Sequence, residues 1–352
     1  MKKSLLALAA LTAFAGVASA QSSVTLFGVV DLNARGVDNG TGSRSTLSQD
    51  GNASSRLGFR GVEDLGGGLK AGFWLEAGLN PDIGGTNMIA DNALLPTGTP
   101  ASTAKSSQLF NRRSTLSLMG GFGEIRLGRD YTPTFWNHTV FDPFGTNGVG
   151  SQTNLQGVAG SAAQTLVRAN NTIGYFLPSL GGLYGQAMYA MDEGANPGNE
   201  YVGGRIGYAA GPVNVAAAYA ETKLPNTNLK AANIGASFNM GFMTLMGQYH
   251  EYKYGGNKQT NMMAGLVVPL GAGNLKFSYG QTELKTAAGK PKATQIAAGY
   301  VYDLSKRTAV YVHASQVDND AGLAYTAGSG GKTNGAGGFK STGYELGVRH
   351  SF

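Results

Sequence analysis

The chain has no cysteine in its 352 residues. That excludes a disulfide framework, a thiolate nucleophile and a cysteine metal site. Charge is also scarce: Asp, Glu, Lys and Arg make up 14% of the chain, against ~25% in an ordinary soluble domain. The basic excess is a formal +6, and the basic residues stand singly. A clustered patch of the kind that binds nucleic acid is therefore missing. After the N-terminal segment, no apolar run approaches the ~20 residues of a membrane helix. Nor does any sustained 3.6-residue stripe mark an amphipathic helix. The four histidines, at 138, 250, 313 and 350, have no metal-ligand spacing, so neither a metal nor another cofactor is expected. The Gly-rich run at 66–72 is not followed by a helix pattern, which speaks against a phosphate cradle. With no catalytic carboxylate pair and no Ser/His pairing evident, an enzyme is not expected.

What is present begins at the N-terminus. Lys2 and Lys3 precede an apolar run from Leu5 to Val17, then Ala18-Ser19-Ala20. This is the layout of a secretory signal peptide over 1–20, with the mature chain, 21–352, starting at Gln21. Removal of Lys2 and Lys3 lowers the formal charge from +6 to +4.

The mature part is dominated by period-two alternation in segments of about ten residues, separated by turn chemistry. Val24, Leu26, Gly28, Val30, Leu32 and Ala34 share one face; Thr25, Phe27, Val29, Asp31, Asn33 and Arg35 share the other. Leu275, Phe277 and Tyr279 likewise oppose Lys276, Ser278 and Gly280. A soluble sandwich also alternates. Export and charges in mid-strand favour a barrel with one face to lipid and one to water. In lipid every backbone group must be paired, so such strands close without an edge. Segments near 24–35, 54–63, 69–79, 109–119, 123–131, 169–177, 182–191, 200–209, 212–221, 230–240, 242–252, 259–268, 273–283, 292–302, 307–317 and 340–352 number sixteen. The expected fold is an all-β, transmembrane antiparallel barrel of sixteen strands. Short turns alternate with longer connections at 36–53, 80–108, 132–168, 192–199, 222–229, 253–258, 284–291 and 318–339. The short turns and both termini are expected on the periplasmic side and the long loops outside. The Gly/Ser/Asn-rich stretch 327–338 reads as a flexible outer loop. Many Tyr stand near strand ends, at headgroup level.

Five blocks carry a resemblance: SSVTLFGVVD at 22–31, SRLGFRGVEDLGGGLKAGFWLEAG at 55–78, FNRRSTLSLMGGFGEIRLGRDYTP at 110–133, RANNTIGYFLPSLGGL at 168–183 and GVRHSF at 347–352. Together they resemble the general diffusion porins of β-proteobacteria over the whole chain. The resemblance implies a homotrimer of sixteen-stranded barrels in the Gram-negative outer membrane, beside lipid and lipopolysaccharide. It also implies a third extracellular loop folded into the lumen, and a loop at 80–108 that latches onto a neighbouring subunit. Tyr344, Leu346, Val348, His350 and Phe352 share a face at the C-terminus. By the same resemblance they look like the signal read by the outer-membrane assembly machinery.

The function of such a barrel is a hole whose width and field decide what crosses. The loop at 132–168 is the candidate constriction. Its aromatics Phe135, Trp136, Phe141 and Phe144 suit attachment to a wall, and Asp142 is its candidate functional residue. Parity assigns the wall charges. Arg35 and Asp31, Arg56 and Arg60, Glu76, Arg113, and Arg126 with Glu124 all fall on water-facing positions, because Arg in lipid costs about 2–4 kcal/mol. Strict parity puts Arg112 and Arg129 outward unless a bulge turns them. Arg168 stands at the loop exit, by the pore mouth. An Arg cluster facing Asp142 is expected to favour small anions weakly. The alternative is that carboxylate partners absorb the cluster into structure. Two other functions compete. A substrate-selective channel would need an aromatic ladder or a saturable site. A barrel adhesin or enzyme would need very large loops or a Ser/His pair at the outer boundary.

Overall fold

The computed structural model describes residues 23–352 apart from 41, 87–107, 162, 193–199, 225 and 329–336. The signal peptide expected at 1–20 lies outside the described residues, as does most of the loop at 80–108. The outer loops 192–199 and 327–338 are likewise described only in part. The first strands are β1 (Ser23–Asp38), β2 (Ser43–Gln49), β3 (Arg56–Gly66), β4 (Leu69–Asn80), β5 (Gly85–Thr86), β6 (Arg113–Gly120) and β7 (Gly123–Tyr131). A helix, α1 (Pro133–Val140), opens the longest described connection, and β8 (Arg168–Phe176) closes it. Then come β9 (Leu183–Ala190), β10 (Tyr201–Ala210), β11 (Val213–Thr222), β12 (Leu229–Asn239), β13 (Thr244–Tyr254) and β14 (Asn257–Leu270). The last four are β15 (Gly273–Lys285), β16 (Lys292–Asp303), β17 (Thr308–Asn319) and β18 (Lys340–Ser351).

Neighbouring strands pair antiparallel around one sheet, and β1 pairs with β18 from Val29↔Ser351 to Asp38↔Thr342, which closes it. β2 and β3 are two halves of one crossing, since both pair with β1. β5 is a two-residue arm on the end of β4. The barrel therefore has sixteen crossings. Closure satisfies every ladder and leaves no edge for lipid. Alternation sets the two faces. Leu116, Ile206, Ile234 and Leu346 are 60%, 57%, 51% and 64% exposed outward, an apolar band that only lipid or another apolar surface can cover.

Three boundaries differ from the sequence expectation. The span 36–53 is not one loop. Residues 43–49 form β2 and prolong the first hairpin, because β1 itself runs to Asp38. The connection expected at 253–258 is a two-residue turn. Gly255 (φ 56°) and Gly256 (φ 86°) adopt the left-handed conformations that a tight hairpin needs. The strand expected from 109 begins at Arg113.

The segment between β7 and β8 runs along the inner wall. α1 packs on β9 to β12, and short 3-10 turns at Gln152–Leu155 and Val158–Gly160 pack on β13 to β16. Phe141 and Phe144 are buried completely or nearly so, at 0% and 1% exposure. Inward amides hold the segment's backbone. Asn233 Nδ2 donates to Thr134 O at 2.8 Å, Gln259 Nε2 to Leu155 O at 3.0 Å and Gln295 Nε2 to Gly150 O at 3.0 Å. Inward glycines make the seats. A Cβ on Gly235 would lie 2.1 Å from the Phe141 ring, on Gly265 2.6 Å from Pro143, and on Gly280 2.1 Å from Gln152 Oε1. Such contacts are far inside van der Waals distance, so a larger residue at 235 or 265 must push on Phe141 or Pro143 of the loop, and one at 280 must displace the Gln152 side chain.

Candidate functional site on the inner wall

The strands not covered by the loop carry most of the inward charge. Arg60, Trp74, Arg113, Thr115, Glu124 and Arg126 line one cavity, from β3, β4, β6 and β7. The register explains why: directly paired residues share a face, and Arg60↔Trp74, Trp74↔Thr115 and Ser117↔Arg126 are cross-strand pairs. Guanidinium groups lie over aromatic faces. Arg60 is 5.3 Å from the Phe27 centroid and 5.2 Å from that of Trp74, Arg113 is 4.5 Å from Trp74, and Arg126 is 3.9 Å from Phe176. The ring quadrupole attracts the cation and supports it flat without neutralising it.

Carboxylates are distributed unevenly among these arginines. Arg126 binds both Glu124 oxygens, at 2.8 and 2.9 Å, and Asp130 at 2.6 Å. Arg113 shares Asp130 at 3.4 Å. Arg56, Arg60, Arg168 and Arg205 have no ion-pair partner among the described residues. Arg56 donates to Ser54 O at 3.3 Å. Arg168 donates to the Tyr131 hydroxyl at 2.7 Å and lies 4.4 Å from that ring's centroid.

Several expected residues occupy other places than an open cluster. Arg35 points inward but lies under the loop, 5% exposed, bound to Glu345 at 2.9 Å. Glu345 also accepts from Val149 N at 3.2 Å, and its Oε1 lies 2.9 Å from His313 Nδ1. Asp31 is inward and completely buried, and its carboxylate accepts the N–H groups of Gly51, Asn52 and Ala53. Asp142 does not face the arginines. It is 4% exposed and accepts from Phe144 N at 2.9 Å, Gln152 N at 3.1 Å and Thr146 N at 3.2 Å, which ties the loop's turn together. Burial raises its carboxyl above the usual range, against those three bonds and the nearby Lys276.

Arg112 corrects the parity argument. It precedes β6, where alternation no longer binds, and reaches Glu76 Oε1 and the Tyr131 hydroxyl, each at 2.5 Å. Glu76 also accepts from Trp74 Nε1 at 3.0 Å. Arg129 pairs in register with Ser114 on the outer face and bonds Asn170 and the Asn111 carbonyl. A register shift between Gly128 and Asp130 lies beside it. At the end of β18, Leu346 and Val348 are exposed outward. The Tyr344 ring fills the place of a side chain at Gly36 and Phe352 that at Gly28. His350 Nδ1 lies 2.9 Å from Thr308 Oγ1.

Two further inward cations were not assigned to the pore by sequence reasoning, although alternation had put Lys276 on the water-facing side. Arg205 of β10 lies 4.7 Å from the Tyr184 centroid and donates to Asn137 Oδ1 at 2.5 Å. Lys276 of β15 donates to Asn52 Oδ1 at 3.3 Å. The same alternation was available for both, since Ile206 and Leu275 face outward. The aromatic supports Phe27, Trp74 and Phe176 were also unassigned, although two of them stood on the polar face.

Comparison with known proteins places the whole chain. The family model described as Gram-negative porin matches residues 7–322. Outer membrane porin protein 32 of Delftia acidovorans is 41% identical, with 100% of each chain covered. The major outer membrane protein P.IB of Neisseria meningitidis serogroup B is 28% identical, again with 100% of each covered. Among solved structures, an anion-selective porin from Comamonas acidovorans superposes with a TM-score of 0.78 at 36% identity, covering 94% of this chain and 100% of that one.

Proposed function

This chain belongs to the Gram-negative porin family, and from that premise we propose that its lumen is a general diffusion pathway for small hydrophilic solutes with a weak preference for anions. As an outer-membrane barrel of this family it is a channel and not an enzyme in its architecture. The observation that carries the anion preference is the excess of unpaired guanidinium on the inner wall. Arg56, Arg60, Arg168 and Arg205 lack a carboxylate among the described residues, while Glu76, Glu124, Asp130 and Glu345 are each engaged by a cation. The anion selectivity named for the Comamonas relative agrees with this reading.

The loop between β7 and β8 and the arginine wall bound the narrow zone, and no catalytic step takes place there. The working unit is a homotrimer in lipid and lipopolysaccharide. Residues 1–20 are removed on export. The C-terminal face of Tyr344, Leu346, Val348, His350 and Phe352 is read by the assembly machinery. The test is single-channel conductance in a planar bilayer, with the reversal potential taken in a salt gradient. Ohmic steps closing in threes with anion preference are expected. Cation preference would refute the arginine reading, and absence of conductance from folded protein would refute the pore.

A further inference from the structure

The crossing made of β2 and β3 leaves the sheet midway. Leu32 of β1 faces Gln49 and Val29 faces Arg56, so only Val30 and Asp31 stand opposite the six residues 50–55. The surplus chain turns inward, because inward-facing Asp31 collects it. The Asp31 carboxylate accepts from Gly51 N at 3.2 Å, Asn52 N at 3.0 Å and Ala53 N at 2.8 Å. Ser55 Oγ ties the base of the excursion to the Asp31 backbone at 3.1 Å in both directions. Asp50 Oδ1 accepts from Ser55 N at 2.6 Å and closes it.

The inner end of this excursion meets the loop. Ser54 Oγ donates to Asn147 Oδ1 at 2.9 Å, and a Cβ on Gly148 would stand 2.4 Å from Gly51 O. Lys276 reaches Asn52 from β15, and Arg56 of the charged wall reaches Ser54 O. The loop is thus held along its length by the far wall and at its tip by six residues of the charged wall's own crossing.

We propose that residues 50–55 are a second constriction element, a brace that fixes the loop tip and the first guanidinium of the charged wall. Asp31, Ser54 and Asn147 are its positioning residues for pore width and ion preference. This rests on the reading of the barrel as a diffusion pore. The absence of cysteine from the chain makes a clean test. Ser54→Cys with Asn147→Cys introduces a single pair, expected to cross-link in the assembled protein, quieten current noise and leave open conductance unchanged. Asp31→Ala is expected to raise conductance by about 1.5-fold and weaken anion preference, because width and lining charge set both. Asp31→Asn, which keeps one accepting oxygen, should fall between. Failure of the pair to cross-link, or a folded Asp31→Ala with wild-type conductance and reversal potential, would overturn the proposal. Should Asp31→Ala not assemble, Ser54→Ala with Asn147→Ala decides it by the same two readouts. A wild-type protein that conducts nothing would instead strike at the pore reading itself.

Discussion

From β1 to β8 the inward positions carry most of the arginines and the aromatic rings beneath them; from β11 to β17 they carry mainly small and amide side chains, with Lys276, His250 and His313 among them. Both walls come from the same alternating strands, so the difference lies in what each wall faces. The second wall is covered by the loop. Small residues such as Ala216, Ala218, Ala297 and Ser278 leave room for it, and amides such as Gln259 and Gln295 satisfy its backbone. A long cation under that cover would lose its water and cost several kcal/mol unless paired. Arg35 lies under the loop with Glu345 bound to it, and half-buried Lys276 of β15 donates to Asn52 Oδ1 with the Asp142 carboxylate nearby. On the uncovered wall a guanidinium stays hydrated, so it can remain unpaired and lie on a ring.

The comparison is broken most severely by filling the seats. Gly235→Val together with Gly280→Leu should force the loop off its wall. Overpacking of this kind costs about 1–3 kcal/mol per site, and single-channel conductance should rise while the barrel still migrates as folded on unheated gels. Unchanged conductance would mean that the loop does not depend on those glycines.

Acid should loosen the same wall more gradually. The ring of His138, on α1, lies 4.4 Å from that of His250 on β13, centroid to centroid. Burial lowers the His138 pKa from 6.5 to about 4 while the loop is docked. A released loop would titrate near 6.5 and so bind more protons. Docking therefore keeps its full strength above about pH 6.5 and weakens as pH falls toward about 4, by about 3 kcal/mol at most. Current fluctuations should increase over that window, and His138→Phe together with His250→Phe should remove the increase, since both rings are buried against each other.

On the other wall, Arg56→Gln, Arg60→Gln and Arg168→Gln together should abolish anion preference in the reversal potential with little loss of stability, because none has a carboxylate partner to strand. Arg126→Gln should instead cost stability too, since it leaves Glu124 unpaired and Asp130 with Arg113 alone. The smallest effect is that of salt. Raising it from about 0.1 M to 1 M shortens the screening length from about 10 Å to 3 Å, so the measured preference should shrink without any change in the loop.

The sixteen crossings were legible because alternation survives in every spanning strand, and inward placement of Arg60, Arg113 and Arg126 followed from it. Pairing was not legible. Period two tells the face of a residue but not its cross-strand partner, which depends on register and on irregularities such as the shift between Gly128 and Asp130. Arg112 illustrates the limit, since it stands one residue outside β6 and turns inward. Asp142 was legible as a loop carboxylate, but three convergent N–H groups make it a tie within the loop. The inward glycines at 235, 265 and 280 could be placed on their face, yet nothing local says which side chain enters each gap. The stretch 50–55 reads as a loop for the same reason. Its direction is decided by Asp31, about twenty residues earlier.

The seam between β1 and β18 joins residues as distant as Arg35 and Glu345, 310 positions apart. Every other pairing joins crossings that follow one another along the chain, the longest across the loop between β7 and β8, but this one must wait until both extremes of the chain are present. Contacts of such sequence separation are slow to form, and until they do, two long unpaired edges invite pairing with other chains. The time between arrival of β1 and arrival of β18 is thus the interval in which an incomplete barrel is exposed to aggregation, and an escort that shields an open strand edge would matter most then.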